Sequence, residues 1–374
     1  ATRRIPGTLL REAGLFLAAL VPAAVGYGMQ RLADRVPAVG EFHASRVFPI
    51  LSWPVRFLSS LVPFSLAELL AVLALPATLV LLALWIRRIV RSRPRWRPLV
   101  TGLRSLVLAG SCALLAFMLF HGINYARLPL ADSADLSVRE RSADELLAAS
   151  LWLAEGVRRE ADLVRTGPDG AMRLSGDIQA TLKEAAQGYD AVSADFPGLS
   201  GPWIRPKGVL LSHYWSYTGI TGMYFPFTIE ANVNIDVPDW SIPVTTLHEI
   251  AHTRGFARED EANFLAFLTA IHHPSADFRY SGYLFAFVNC ANALYGIDAD
   301  RGREAYDALP ATAFADLSRN AAYWKQFEGP VRETSTKVND AYLQANLQED
   351  GVRSYGRMVD LVLAYRESES GTTP

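Results

Sequence analysis

His248-Glu249-Ile250-Ala251-His252 sets two imidazoles and a carboxylate at HExxH spacing. Residues four apart share one face of a helix, so His248 and His252 can offer ligands to a single metal ion. Glu249 sits beside the first of them, within reach of a water on that ion. The spacing is specific, because it joins two ligands and a base at fixed offsets. The plain alternative is a surface helix that carries His, Glu and His. Thr253-Arg254-Gly255 and the acidic run Glu259-Asp260-Glu261 follow at once and argue against it.

A catalytic zinc needs three protein ligands and one open position. His248 and His252 supply two. If Gly255 ends their helix, the next segment can fold back and bring a third. Glu259, Asp260 and Glu261 are the nearby carboxylates, although a helix N-terminus favours acidic residues in any case. Arg258 stands where metzincins place a third His, which excludes that group. Glu259-Asp260-Glu261-Ala262-Asn263 is similar to the ExxAN or ExxAD stretch that supplies the ligand Glu in several gluzincin-like peptidases. That resemblance implies Glu259, with Glu261 and Asp260 as the alternatives. Asn263, one turn on, would share the face of Glu259 and hold it in place.

The chemistry these parts would perform is hydrolysis. Zinc lowers the pKa of its water to about 7. Glu249 takes the proton as general base and delivers it to the leaving amine. A further donor usually stabilises the oxyanion. His213, Tyr214, Tyr224, Tyr280, Tyr283 and Tyr355 are candidates that the sequence does not separate. Phe227 to Asn234 is a candidate edge strand for an extended peptide substrate, or a plain sheet strand. His272 and His273 end a helix, where cations are favoured without any metal. His43 and His121 flank apolar blocks and read as interfacial.

Several elements must position these residues. Pro243 is placed to open the helix that carries His248. A second helix is expected from Arg258 through Ile271. Ahead of them, Val209 to Ser212 and Phe227 to Val233 read as strands, separated by the turn-prone Thr218-Gly219-Ile220-Thr221-Gly222. The second strand alternates apolar with polar residues, as a half-exposed strand would. Ser142-Ala143-Asp144-Glu145 is a capping box, and an amphipathic helix is expected from Gly176 to Phe196. The C-terminal third, through Tyr365, reads as mostly helical.

The 374 residues are 50% hydrophobic, with a mean hydropathy of +0.13. The net charge of −2 gives no sign of a nucleic-acid partner. The apolar excess sits in three blocks of the first third, over about 13–29, 69–86 and 105–120. Each is close to the roughly 20 residues that cross a hydrocarbon core. Three transmembrane helices and a lipid-bilayer partner are therefore expected. Ser65-Leu66-Ala67-Glu68 resembles a capping box that opens the second, just after Pro63. Arg87, Arg88, Arg91, Arg93, Arg95 and Arg97 crowd the link between the second and third. By the positive-inside rule that link and the N-terminus face the cytoplasm, and everything after Phe120 lies outside. Cys112 and Cys290 form no disulfide framework.

The sequence also resembles a family of bacterial membrane proteins, domain of unknown function 3810. The matching stretches include Pro63-Phe64-Ser65, Asn124-Tyr125, Tyr224 to Asn234 and His248 to Phe264. Tyr280-Ser281-Gly282-Tyr283 and Asp350 to Gly356 also match. The resemblance covers nearly the whole chain. It implies a membrane-anchored, zincin-like metallopeptidase of the bacterial cytoplasmic membrane and supplies no substrate.

The expected architecture is an α-rich α+β fold, with a membrane anchor over 1–127 and an extracytoplasmic zincin-like catalytic domain with a small sheet over 128–374. The leading expectation is a zinc peptidase with metal ligands His248, His252 and Glu259, acting on peptides or envelope proteins. A zinc-site sensor or scaffold, and a metal-dependent amidase of cell-envelope material, are the alternatives.

Overall fold

A computed structural model describes residues 7–201, 203–345 and 357–369. The chain opens with α1 (Gly7–Arg35), then α2 (Pro37–Phe42) and α3 (Phe48–Ser60). Two long helices follow, α4 (Leu66–Arg91) and α5 (Trp96–Phe120). Arg11–Arg35, Leu66–Arg91 and Trp96–Ala126 are each long and apolar enough to cross a membrane. Little of this surface is hidden by protein, and none of the most apolar stretch of α4. Leucines and valines without protein cover need an apolar solvent, so the three helices fit association with a lipid bilayer. The expected spans lie inside them, and the helices continue past the apolar blocks.

The helices are tied at both ends. Glu12 of α1 pairs with Arg104 of α5 at 3.1 Å. At the opposite end, α4 begins on the body of the protein. Ser65 caps it by accepting the Glu68 N–H at 2.9 Å. The return half of the expected capping box does not form. Glu68 instead accepts the Leu210 and Leu211 N–H groups at 3.0 and 2.7 Å. The first-turn amides of α4 donate to Glu230, from Leu66 at 3.1 Å and Ala67 at 2.9 Å. A carboxylate at a helix N-terminus satisfies orphan donors and suits the macrodipole.

Beyond α5 come α6 (Leu130–Ser133) and α7 (Ala143–Ala161), whose capping box at Ser142 forms in both directions. A two-stranded hairpin of β1 (Arg165–Thr166) and β2 (Met172–Arg173) follows. The helix expected from 176 to 196 is two helices, α8 (Ile178–Glu184) and α9 (Ala186–Val192). A hydrogen bond from Gly188 N to Ala185 O, three residues back, tightens the chain at their junction.

The main sheet has three strands, β3 (Lys207–Val209), β4 (Gly222–Phe225) and β5 (Glu230–Asn234), with α10 (Ser212–Ser216) between the first two. Their spatial order is β3-β5-β4, with β3 parallel and β4 antiparallel to β5. Three sequence expectations change here. The first strand ends at Val209, because Ser212 starts a helix. The stretch read as a turn runs into β4, because Gly222 pairs with Val233. The strand at Glu230–Asn234 is central rather than an edge, and all five of its residues are buried. Its polar side chains face partners instead of water. Asn232 accepts from Ser65 Oγ at 2.6 Å, and Asn234 donates to Ile220 O at 2.9 Å.

Seven helices complete the described chain: α11 (Ser241–Thr253), α12 (Glu259–Ile271), α13 (Ala276–Ile297), α14 (Ala299–Asp307), α15 (Ala311–Lys325), α16 (Pro330–Ala345) and α17 (Met358–Glu369). The core lies where α11 rests on the sheet and against α12 and α13, around Leu247, Ile250, Phe264, Phe267, Leu284 and Phe287. Side chains buried there fix α11 as a rigid base for the residues it carries.

Candidate metal centre

The HExxH helix α11 has Pro243 in its first turn, where the missing N–H costs nothing. Its other end closes at Gly255, with φ of +85°. Phe256 N donates to Ala251 O at 3.2 Å and Gly255 N to His252 O at 3.1 Å. This paired closure needs a left-handed residue, which glycine adopts without penalty. The chain then reverses, Arg258 is extended, and Glu259 opens α12 pointing back at the two imidazoles.

His248 Nε2 lies 3.2 Å from one Glu259 oxygen, and His252 Nε2 lies 3.7 Å from the other. The two Nε2 atoms are 3.1 Å apart. All three ligand atoms fall within 4.8 Å of one another, a group that could hold a metal ion. The donor chemistry fits such an ion. His252 Nδ1 is 2.7 Å from Phe256 O, so its proton belongs there and Nε2 keeps its lone pair. Burial lowers the His252 imidazole to about 4, which keeps it neutral, as a ligand must be. Burial opposes the Glu259 carboxylate, but His252 and His248 outweigh it and hold it down to about 2. Burial also opposes the charge on His248, yet its bond to Glu259 raises it. A cation among the same three atoms would answer the same negative charge.

Asn263 lines the same cavity, and its side chain favours the charged form of His248. The sequence paired it with Glu259. It stands beside both Glu259 and the two imidazoles in the cavity wall. The other two carboxylates of the acidic run point elsewhere. Buried Glu261 accepts the Leu130 N–H at 2.6 Å and pairs with Arg258. Asp260 accepts the Glu261 N–H at 3.1 Å and pairs with Arg357.

Glu249 stands apart from the three ligands. Its Oε2 is buried with no partner among the described residues, and the nearby Tyr224 N–H favours the charged carboxylate only weakly. Burial pushes the carboxyl up to about 8. A nearby dication would draw it back down. Strand β4 lies directly against it. A Cβ on Gly222 would come within 2.4 Å of Glu249 Oε1, so this position has room only for glycine.

A cavity of about 780 Å³ opens over these residues. All four residues of edge strand β4 line it, together with His248, Glu249, His252 and Glu259, and residues of α16. The edge strand beside the cavity is thus β4 and not the expected Phe227 to Asn234, since β5 is covered on both sides.

The sequence candidates for an oxyanion donor separate clearly. Tyr280 donates to Asp316 at 2.6 Å, and His213 pairs with Asp236 at 3.0 Å. Tyr283 packs on Trp152 and Phe267, and Tyr214 is exposed. Tyr224 lines the cavity but donates its hydroxyl to Phe120 O at 2.9 Å. Tyr355 lies outside the described residues. His272 and His273 bond to Leu268 O and Glu184 O, away from the centre. His43 is buried and pairs with Asn124 at 3.1 Å.

Two further residues stand at the site: His121, expected at the membrane interface but buried in the cavity wall, and Tyr342, to which the sequence reading assigned no role. His121, just past α5, sits with its ring centroid 6.0 Å from that of His252, and its Nδ1 is buried without a partner among the described residues. Its Nε2 is 3.3 Å from Tyr125 Oη. Tyr342 of α16 stacks on His121 at 6.5 Å and bonds to Tyr125, and burial raises its phenol. The only local signal was the spacing of His121 and Tyr125, four apart at the end of an apolar block.

No curated protein and no solved structure matches the chain. Residues 43–363 match the family described as protein of unknown function (DUF3810), which takes in the inter-helix segment at α3, both later candidate spans and the whole candidate metal centre. The chain belongs to that family.

Proposed function

We propose that this chain is a membrane-anchored zinc metallopeptidase that hydrolyses peptide bonds, with Glu249 as general base. One observation carries the reading. A buried carboxylate oxygen without a partner stands beside three convergent ligand atoms, on the floor of a cavity walled by an edge strand. A structural zinc site would be closed by a fourth protein ligand. The described residues supply three, of nitrogen and oxygen type, as catalytic zinc sites do.

Zinc held there would acidify water at its open position and polarise a substrate carbonyl. The residues of the chain divide the remaining work. His248, His252 and Glu259 would hold the ion, with Phe256 O and Asn263 orienting the two rings. Glu249 Oε2 would accept the proton and return it to the leaving amine nitrogen. Strand β4 offers an edge along which an extended peptide can lie. His121 and Tyr342 stand at the cavity wall, where a donor to the oxyanion belongs.

The anchor limits what reaches the cavity. The arginine-rich turn between α4 and α5 lies at the opposite end of these helices from the metal centre. We place that turn in the cytoplasm and the centre outside the bacterial cytoplasmic membrane. The substrates would then be envelope proteins, lipoproteins or peptides near the bilayer. Reporters test this placement. One inserted near Arg93 is expected to work only if it functions in the cytoplasm, and one fused after Tyr365 only if it functions outside. The opposite pattern would remove envelope proteins as substrates.

The activity itself is tested by incubating the zinc-loaded protein with a mixed peptide library and reading new termini by mass spectrometry. Cleavage is expected, and a zinc chelator should abolish it. Bound zinc with no cleaved peptide would favour a sensor or scaffold instead. Cleavage confined to cell-wall amides would favour the amidase.

A further inference from the structure

Helix α3, between the first two spans, is turned inside out for a helix in water. Its polar side chains face the protein. Ser52, Arg56, Ser59 and Ser60 are all buried. Apart from Phe48 at its buried start, its large apolar side chains face outward: Ile50 is 74% exposed, Trp53 54%, Phe57 47% and Leu58 63%. Leu61, just past its end, is 58% exposed. Positions 50, 53, 57 and 61 fall on one stripe of a helix, and 52, 56 and 59 fall on the other side. Trp53 and Phe57 stack at 5.6 Å and extend the stripe as one apolar surface.

The buried side is firmly bonded, so the orientation is not incidental. Arg56 Nη1 donates to Thr253 O at 3.2 Å. Lys207 Nζ donates to Ser59 O at 3.0 Å, and Arg205 N donates to Ser60 Oγ at 3.4 Å. Rolling the helix to hide its apolar stripe would break all three.

We propose that the outer face of α3 lies in the interface of the same bilayer that holds α1 and α4. Continuity selects the bilayer over a protein partner. α1 ends at Arg35 and α4 begins at Leu66, so both flanks of this segment are already at the membrane surface. Trp and Phe beside aliphatic residues suit the headgroup–acyl boundary. The contact has a structural consequence. Thr253 directly follows His252, so the Arg56 bond couples an interfacial helix to the end of the metal-ligand helix. The site is thereby held at a fixed height above the lipid. This inference stands whether or not the site cuts peptides.

Site-directed spin labelling of the full-length chain tests it. Labels are placed at Trp53→Cys, Phe57→Cys and Leu61→Cys in a Cys112→Ser background, in vesicles of phosphatidylethanolamine and phosphatidylglycerol. Asp300→Cys, at an exposed acidic position on α14, is the control. At 53, 57 and 61, collisions with oxygen should exceed those with a water-soluble nickel chelate. At 300 the order should invert. Water-like labels on α3 would overturn the proposal. So would labels shielded from both reagents, which would mean that a protein covers the face.

Discussion

Glu259→Ala is expected to lower zinc affinity by more than about 100-fold, beyond the ~10–100-fold cost of removing an outer partner of a ligand. His248→Ala and His252→Ala should do the same. Each leaves two of the three convergent atoms, and two ligands make a weak site. The discriminating arm is the rest of the acidic run. Glu261→Ala should leave zinc binding nearly intact, because its carboxylate serves Leu130 N and Arg258. That variant should lose stability instead, since removing it strands buried donors. Asp260→Ala should matter least to the metal. Asn263→Ala should fall between, because its side chain stands beside His248 and Glu259. Zinc titration of the purified variants checks the order. A zinc-less Glu261 variant that remains folded would overturn the ligand set.

Local spacing made the His pair readable. Four residues on a helix is a fixed geometry, and α11 keeps it. Glu259 was legible for a related reason. Gly255 marks the reversal, and only three residues separate it from Glu259, so the carboxylate has little freedom in where it goes. The three apolar helices were legible because the bilayer asks for length and hydropathy, both of which are sequence properties.

What the sequence hid depends on contacts between distant segments. Glu230, Asn232 and Asn234 looked like the wet side of a half-exposed strand. They are buried because the start of α4 and the Thr218–Thr221 segment bring them partners, and the α4 partners lie more than 160 residues away in the sequence. The same misreading made β5 an edge and overlooked β4, whose Gly222 looked like a turn residue. Its glycine serves the close approach of Glu249. His121 and Tyr342 come from opposite ends of the chain to one wall, so neither carries a local sign of the other. The inverted polarity of α3 is likewise invisible until Arg56 and the serines are seen to face protein.

Glu249→Gln tests the central claim most directly. The amide keeps the size of the side chain, and Glu249 is not among the three convergent ligand atoms, so bound zinc should stay near one per chain. An amide accepts no proton at neutral pH. The loss of general acid–base catalysis is therefore expected to slow cleavage by about 10²–10⁴-fold. The decisive measurement takes zinc content and peptide-cleavage rate from the same preparations of the unaltered protein and the Glu249→Gln variant. Equal zinc with cleavage lost only in the variant is the predicted result. Zinc lost along with activity would make Glu249 a ligand, and cleavage retained at full rate would show that the metal centre does not carry the reaction.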